Sequence, residues 1–172
     1  MKPAEFSAVE RLRDGRPVEI RALTRADRDG LRAAVERASE RSRFLRFFGA
    51  KRDFSEREVE FFTDVDFISH VALVAVAMEG GRPVIVGGGR YVVTEPGKAE
   101  VAFFVIDDYQ THGIGSSMLR HLIAIARDAK LEELVAEVLP ENTSMLQVLK
   151  KSGPTLVMKR DPQVVHVTLK IV

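Results

Sequence analysis

Residues 101–120 read Val-Ala-Phe-Phe-Val-Ile-Asp-Asp-Tyr-Gln-Thr-His-Gly-Ile-Gly-Ser-Ser-Met-Leu-Arg. The apolar run Val101–Ile106 predicts a strand, and a polar turn with two glycines follows it. Beyond the turn, Met118, Leu122 and Ala126 recur at the spacing of an amphipathic helix. Glycines at a helix start let the backbone approach a phosphate, and the helix dipole and first N–H groups favour an anion there. The stretch therefore predicts a pyrophosphate-binding loop.

Three other interpretations of these glycines compete with this one. A Rossmann dinucleotide site needs G-x-G-x-x-G, and Met118 stands at the third glycine position, although Glu137 lies near the expected distance downstream. A Walker loop needs Gly-Lys followed by Ser or Thr, and no such sequence follows Gly115. An ordinary glycine-bearing turn between a strand and a helix is the third alternative.

The sequence Q-x-x-G-x-G at residues 110–115 resembles the acyl-CoA pyrophosphate loop of the GNAT superfamily of N-acyltransferases. The strand before it, Glu100–Val105, resembles that family's fourth strand, and Glu133–Leu139 resembles its fifth. Residues 142–153 resemble the family's next helix, of the form N-x-x-M-x-x-L-x-x-x-x-G. Three elements in this order and spacing are more specific than the glycines alone.

The N-terminal half carries a narrower resemblance, to bacterial Pat-type protein lysine acetyltransferases. The stretches that carry it are Asp14–Leu23, Ser42–Phe48 and Asp64–Ala75. Larger members of that group join this domain to an acyl-CoA-synthetase-like region or a cyclic-nucleotide domain, and neither is found in this chain. The resemblance implies an enzyme that moves an acetyl group from acetyl-CoA to a primary amine, most simply a protein lysine.

The predicted elements form one α/β domain over residues 1–172, with residues 1–14 as a flexible or peripheral segment. Strands are predicted at Pro17–Leu23, His70–Met78, Pro83–Val93, Lys98–Ile106, Glu133–Leu139, Thr155–Met158 and Val164–Ile171. Helices are predicted from Thr24 to about Ala38, at Phe44–Gly49, from a Ser55–Glu58 capping box to about Phe62, after the glycine loop, and at Asn142–Lys151. This order gives a mixed sheet. The resemblance implies a GNAT-like, mostly antiparallel sheet flanked by helices, with a splayed strand pair that binds acyl-CoA.

The amino-acid composition limits the classes of protein to which the chain can belong. A chain of 172 residues with 45% hydrophobic residues fits one domain with a sizeable core. The 26 basic and 25 acidic residues give a net charge of +1, which provides no general attraction to nucleic acid or membranes. The chain has no cysteine, which excludes a disulfide scaffold and a thiol nucleophile, and its scattered histidines predict no metal site. Without a signal-peptide core or a membrane-spanning apolar run, a cytoplasmic enzyme is expected.

The resemblance also implies a set of cofactor-binding residues. The backbone of Phe103, Phe104 and Val105 would pair with the pantetheine arm of acetyl-CoA as an added strand does. Asn142 would contact the same arm, although a plain helix N-cap explains an asparagine there equally well. The loop residues expected to hold the pyrophosphate are Gln110, Thr111, His112, Gly113, Ile114, Gly115 and Ser116.

Acyl transfer to an amine needs a base, because a lysine amine has a pKa near ~10.4. Glu100 opens the apolar strand, and partial desolvation at a strand edge would raise the pKa of its carboxyl toward a useful range. The Pat-type resemblance implies that Glu100 is the general base. Glu137 is the second candidate, because other GNAT subfamilies use a glutamate on the fifth strand. The family's usual tyrosine acid is replaced by Leu149, so no acid is assigned.

Three functions remain open from the sequence: a protein lysine acetyltransferase, a small-amine N-acetyltransferase on the same fold, and a non-catalytic acyl-CoA-binding regulatory module. All three would bind CoA. Glu100 favours the two catalytic functions, and the N-terminal stretches favour the first. The acceptor, the preferred acyl chain and the oligomeric state are left open.

Overall fold

A computed structural model describes residues 2–38 and 56–172 of the chain. Its strands are β1 (Ser7–Arg11), β2 (Pro17–Ala22), β3 (His70–Glu79), β4 (Arg82–Glu95), β5 (Lys98–Val105), β6 (Glu133–Val138), β7 (Thr155–Arg160) and β8 (Val165–Lys170). The helices within these ranges are α1 (Arg28–Arg37), α2 (Glu56–Thr63), α3 (Ile114–Asp128) and α4 (Thr143–Lys150). Short 3-10 turns lie at Pro3–Glu5, Arg25–Asp27 and Asp107–Tyr109.

The strands form one sheet in the order β1-β2-β3-β4-β5-β6-β8-β7. Every neighbouring pair is antiparallel except β5 and β6, which are parallel because α3 crosses over between them. The predicted mixed, mostly antiparallel sheet flanked by helices is therefore confirmed.

The sequence missed some boundaries. No element was predicted before Pro17, yet Ser7–Arg11 pairs with β2 along the edge of the sheet. The strand predicted at Thr155–Met158 continues to Arg160. The Asp161 carboxylate accepts hydrogen bonds from the backbone N–H of Gln163 and of Val164, so the chain reverses after β7 has run on to Arg160. The predicted helix Phe44–Gly49, the resemblance at Ser42–Phe48 and the capping residue Ser55 lie outside the described residues.

Two glycines in β4 allow close packing at the centre of the sheet. A Cβ on Gly87 would lie 2.8 Å from the Phe104 carbonyl oxygen, and one on Gly89 would lie 2.8 Å from Cδ1 of Phe103. The β3–β4 register also shifts beside Val76, which is a β-bulge. The three consecutive glycines of β4 thus lie beside a bulge and at a close approach of neighbouring residues.

The helices cover opposite faces of the sheet. A Cβ on Gly89 would approach Leu122 of α3, whereas one on Gly88 would approach Leu31 of α1. Neighbouring residues of a strand point to opposite faces, so α3 and α1 lie on opposite sides. No helix in the described ranges is long and apolar enough to cross a membrane.

A buried polar contact ties α2 to the face that α1 covers. Arg90 of β4 donates to the carbonyl oxygen of Phe62, and its Nη1 lies 2.8 Å from Nε2 of His70. Burial, together with the Arg90 charge, lowers the pKa of His70 to about 4. His70 is therefore neutral at pH 7 and accepts the Arg90 hydrogen bond.

Candidate functional site

A cleft opens where β5 and β6 part. Their parallel pairing covers Lys98, Ala99 and Glu100 of β5 and ends at the pair Glu100–Val135. Beyond this point the two strands line a cleft of about 510 Å³, which the start of α3 and one side of α4 close. The predicted splayed strand pair is present.

The backbone of β5 alternates between β4 and the cleft. The Ile106 N–H donates to the Val86 carbonyl oxygen of β4, so the polar backbone groups of Phe104 also point toward β4. Those of Phe103 and Val105 point the other way, toward the cleft. Of the three predicted pairing residues, Phe103 and Val105 therefore present backbone N–H groups to a ligand, and Phe104 forms part of the wall.

The glycine loop ends in a helix start that faces the cleft. Gly113 has a φ of 99° in the left-handed region and directly precedes α3. The first helical bond runs from the Ser117 N–H to the Gly113 carbonyl, so the N–H groups of residues 114–116 have no intrahelical partner. Gly115 has room for a Cβ, which would meet the Val148 side chain at an ordinary van der Waals distance of 3.8 Å. This geometry suits an anion held by backbone donors.

A side-chain network behind the loop fixes the Asp107–Tyr109 turn. The buried Tyr109 hydroxyl donates to the Glu79 carboxylate at 2.7 Å, and Arg37 makes two hydrogen bonds to the same carboxylate. The Arg37 hydrogen bond, followed by that of Tyr109, lowers the pKa of Glu79. At the loop itself, the Gln110 amide donates to the Val105 carbonyl at 2.9 Å. The sequence pattern did not indicate this support, because its members are far apart in the chain.

Glu100 and Glu137 lie on one face of the sheet on either side of the divergence. Glu100 pairs with Val135, and Glu137 is two residues further along β6, so the side chains share a face. Glu100 is exposed rather than partly buried as the sequence suggested, because the sheet opens beside it. Glu137 lies 3.7 Å from Nδ1 of His166, whereas no cation in the described part of the chain lies within ion-pair distance of Glu100.

Of the other candidate residues, Asn142 lines the cleft, whereas Leu149 and the two tyrosines are buried. Asn142 lines the cleft and caps α4, with its side-chain oxygen accepting from the Met145 N–H at 3.2 Å. The cap leaves the Asn142 amide nitrogen available to a ligand. Leu149 is fully buried, and burial raises the pKa of Tyr91 to about 12. Since the Tyr109 hydroxyl already donates to Glu79, neither tyrosine is placed as a free acid.

His112 is the one predicted site residue outside the cleft lining. Its Nδ1 lies 3.8 Å from the Asp14 carboxylate, and its carbonyl oxygen accepts from the Arg13 N–H. The β1–β2 hairpin thus rests against the loop and turns His112 away from the ligand side.

The cleft also includes four charged residues that the sequence did not single out: Arg13, Asp107, Glu141 and Lys151. Arg13 comes from the β1–β2 hairpin, so only the tertiary fold brings it to the loop. Across residues 2–38 and 56–172, no group of three or more His, Cys, Asp or Glu side chains is placed to hold a metal ion.

Known proteins share this architecture. The family model for the "Acetyltransferase (GNAT) domain" matches residues 18–155. An acetyltransferase of Pseudomonas aeruginosa is 34% identical over 163 residues, which cover 92% of this chain and 87% of that protein. The crystal structure of the GNAT domain of S. lividans PAT superposes with a TM-score of 0.85 at 32% identity, covering 95% of this chain and 96% of the other.

A more distant likeness shows the fold alone. Spermidine N-acetyltransferase from Vibrio cholerae, solved with CoA and spermine, has a TM-score of 0.69 at 13% identity and covers 89% of this chain and 95% of that chain.

Proposed function

This chain belongs to the GNAT acetyltransferase family, and we propose that it acetylates lysine side chains of proteins, with Glu100 as the general base. The transfer of an acetyl group from acetyl-CoA to an amine is the activity of this family. The observation that carries the proposal is the place of Glu100 at the point where β5 and β6 part, with no cation of residues 2–38 and 56–172 within ion-pair distance of its carboxylate.

The residues of the cleft fit acetyl-CoA. The N–H groups at the start of α3 suit a pyrophosphate, and the absence of a side chain at Gly115 lets it approach the backbone. The cleft-facing backbone of Phe103 and Val105 suits the amide groups of the pantetheine arm. Asn142 can donate its free amide hydrogens to the same arm. Acetyl-CoA supplies the thioester whose acetyl group is transferred.

The chain's own groups provide the proton transfer. An ammonium at the cleft gives a proton to the Glu100 carboxylate, directly or through one water, and the neutral amine then attacks the thioester carbonyl carbon. The C–N bond forms, the C–S bond breaks, and the sulfur leaves as a thiolate, while the second proton of the attacking nitrogen passes to the thiolate or to solvent. Backbone N–H groups on the open edge of β5 can stabilise the oxyanion. No acidic side chain is required, because a thiolate is a better leaving group than an amide anion.

The charges around the cleft favour a cationic acceptor. Its acidic lining residues outnumber the basic ones, and they are Glu100, Asp107, Glu137 and Glu141. Such a lining attracts an ammonium group before it is deprotonated. A protein lysine and a small polyamine both satisfy this requirement.

Exposed apolar side chains favour a protein among these acceptors. Phe61 and Ile68 are 53% and 79% exposed. The Phe61 ring lies 5.1 Å from that of His70. His70 pairs with Val92 of β4, which in turn pairs with Glu100, so Phe61 lies on the same sheet face as the proposed base. An acceptor that presents a surface as well as an amine can bury these groups. The likeness to the S. lividans PAT domain supports the same choice.

The test is CoA release from acetyl-CoA with folded proteins, lysine peptides and small polyamines as acceptors. We expect the highest kcat/KM with a folded protein. A polyamine that surpasses every protein lysine tested would replace this proposal with a small-amine N-acetyltransferase.

Glu100→Gln tests the base in the same assay. The substitution keeps the shape but removes the proton acceptor, so kcat should fall by about 10²–10⁴ while acetyl-CoA affinity stays near normal. The loss should shrink at high pH, where more of the amine is already neutral. Glu137→Gln is the matched control and should have a smaller effect. A large defect confined to Glu137→Gln would assign the base to β6.

A further inference from the structure

The proposed CoA cleft has few cations for a ligand that carries several phosphates. Only two of the described residues that line it are basic, Arg13 and Lys151. The loop itself contributes neutral donors, and the Gln110 amide is already bonded to the Val105 carbonyl. Phosphate groups buried against carboxylates need positive charge nearby.

Arg13 is held beside the phosphate loop by its own backbone. Its N–H donates to the His112 carbonyl at 3.2 Å, which fixes the tip of the β1–β2 hairpin against the residues before α3. Its Nη1 reaches the Thr111 carbonyl at 3.4 Å, a long and weak hydrogen bond. Within residues 2–38 and 56–172, most of the guanidinium donors therefore remain available, next to the helix start that faces the cleft.

The other arginines of the hairpin are used within it. Arg16 lies 2.7 Å from the Asp14 carboxylate and stacks over the Tyr109 ring at 4.4 Å. Arg11 donates to the Gly15 carbonyl at 3.0 Å. Among the residues that the structure describes, no carboxylate lies within ion-pair distance of Arg13, so its charge is not neutralised by the fold.

We propose that Arg13 binds a phosphate group of CoA and supplies the cation that the glycine loop lacks. This inference rests on the proposed acetyl-CoA site and adds a residue to it from the N-terminal hairpin. A guanidinium can donate two hydrogen bonds to one phosphate, whereas backbone N–H groups bring no net charge. The pyrophosphate and the ribose 3′-phosphate share this chemistry, and the experiment distinguishes them.

Calorimetric titration of the wild type, Arg13→Ala and Arg13→Lys with CoA and with 3′-dephospho-CoA tests the proposal. Arg13→Ala should weaken CoA binding by about 10- to 100-fold, as expected for hydrogen bonds to a charged group. Arg13→Lys should lose less, and the dependence of affinity on salt should become shallower only in Arg13→Ala. A loss confined to CoA assigns the contact to the 3′-phosphate. An equal loss with both ligands assigns it to the pyrophosphate.

Arg11→Ala is the matched control, because it removes an arginine from the same hairpin that does not line the cleft. Unchanged CoA affinity in Arg13→Ala overturns the inference and leaves the proposed function intact. Weaker CoA binding by Arg13→Ala would also overturn it if the salt dependence stayed unchanged and the free energy of unfolding fell. Arg13 would then only support the structure of the loop. Failure of the wild-type protein to bind CoA would instead remove the proposed function itself.

Discussion

The two edges of β5 differ in how much of their backbone the fold uses. Toward β4, the register runs along the whole strand, from Lys98 to Val105. Toward β6, it covers only Lys98, Ala99 and Glu100. The first edge holds the sheet together, and the second leaves the N–H groups of Phe103 and Val105 facing the cleft, where an extended ligand can pair with them. One strand therefore serves stability on one side and ligand binding on the other.

The glycines on the two sides follow the same division. Gly87 and Gly89, on the β4 side, have no room for a side chain because β5 lies against them. Gly115, on the cleft side, has room, so the fold does not require a glycine there. Substitutions on the paired side should therefore reduce stability, whereas those on the open side should reduce ligand affinity.

The largest expected effect is a loss of folding stability in acid, through the buried His70–Arg90 contact. The native protein holds His70 neutral down to about pH 4, whereas the unfolded chain protonates it near pH 6.5. Its contribution is thus complete above pH 6.5 and is lost as the pH falls toward 4, by up to about 3 kcal/mol. Urea unfolding at a series of pH values measures this loss.

His70→Gln is the control for the acid effect, because glutamine can still accept from Arg90 but does not titrate. Its unfolding free energy should change less than that of the wild type between pH 6.5 and pH 4. Parallel pH profiles for the two proteins would show that other groups carry the acid sensitivity.

Gly115→Val tests the open edge and should reduce CoA affinity by about 100-fold, which is about 2.7 kcal/mol. The added methyl groups occupy the approach to the first helical N–H groups, while urea unfolding and the far-UV spectrum should stay near those of the wild type. Gly115→Ala is the matched control and should bind CoA nearly normally, because a single Cβ there would meet only the Val148 side chain, at 3.8 Å. Normal CoA affinity in Gly115→Val would reject the assignment of the phosphate loop.

Gly89→Ala tests the paired edge and should give the smallest effect, a loss of stability rather than of ligand affinity. The new Cβ would meet the buried ring of Phe103, so the unfolding free energy should fall by about 1–2 kcal/mol. Gly88→Ala is its neighbour control, because a Cβ there would have no atom closer than 3.6 Å. Equal stability of the two variants would mean that the β4–β5 packing relaxes freely around an added Cβ. The two edges of β5 would then differ less in their tolerance of side chains.

The site was predictable from sequence where its parts are local in the chain. The strand, the glycine loop, α3 and the Asn142 cap lie within about 50 residues and carry regular apolar spacing and helix-start signals. Three parts could not be predicted in this way. Arg13 reaches the loop from a hairpin nearly 100 residues away, Tyr109 is held by Glu79 of β3, and the exposure of Glu100 depends on where β6 leaves β5.

The edge strand β1 shows a different reason for a missed element. Its sequence, Ser-Ala-Val-Glu-Arg, has little apolar alternation, and its central Val9 is 72% exposed. Strand pairing with β2 stabilises it rather than burial of its own side chains. A hydrophobic pattern cannot reveal such a strand, because the pattern reports burial.

The docking of the N-terminal hairpin also sets an order of events during synthesis. Glu10 contacts Arg120 and His121, which are 110 and 111 residues further along the chain. At about 5–20 residues per second, roughly 5–20 s separate the emergence of these partners from the ribosome. The hairpin is synthesised first, but it can dock only after α3 has been synthesised. A ribosome-bound chain is therefore unable to dock this hairpin onto α3 until Arg120 and His121 have been translated.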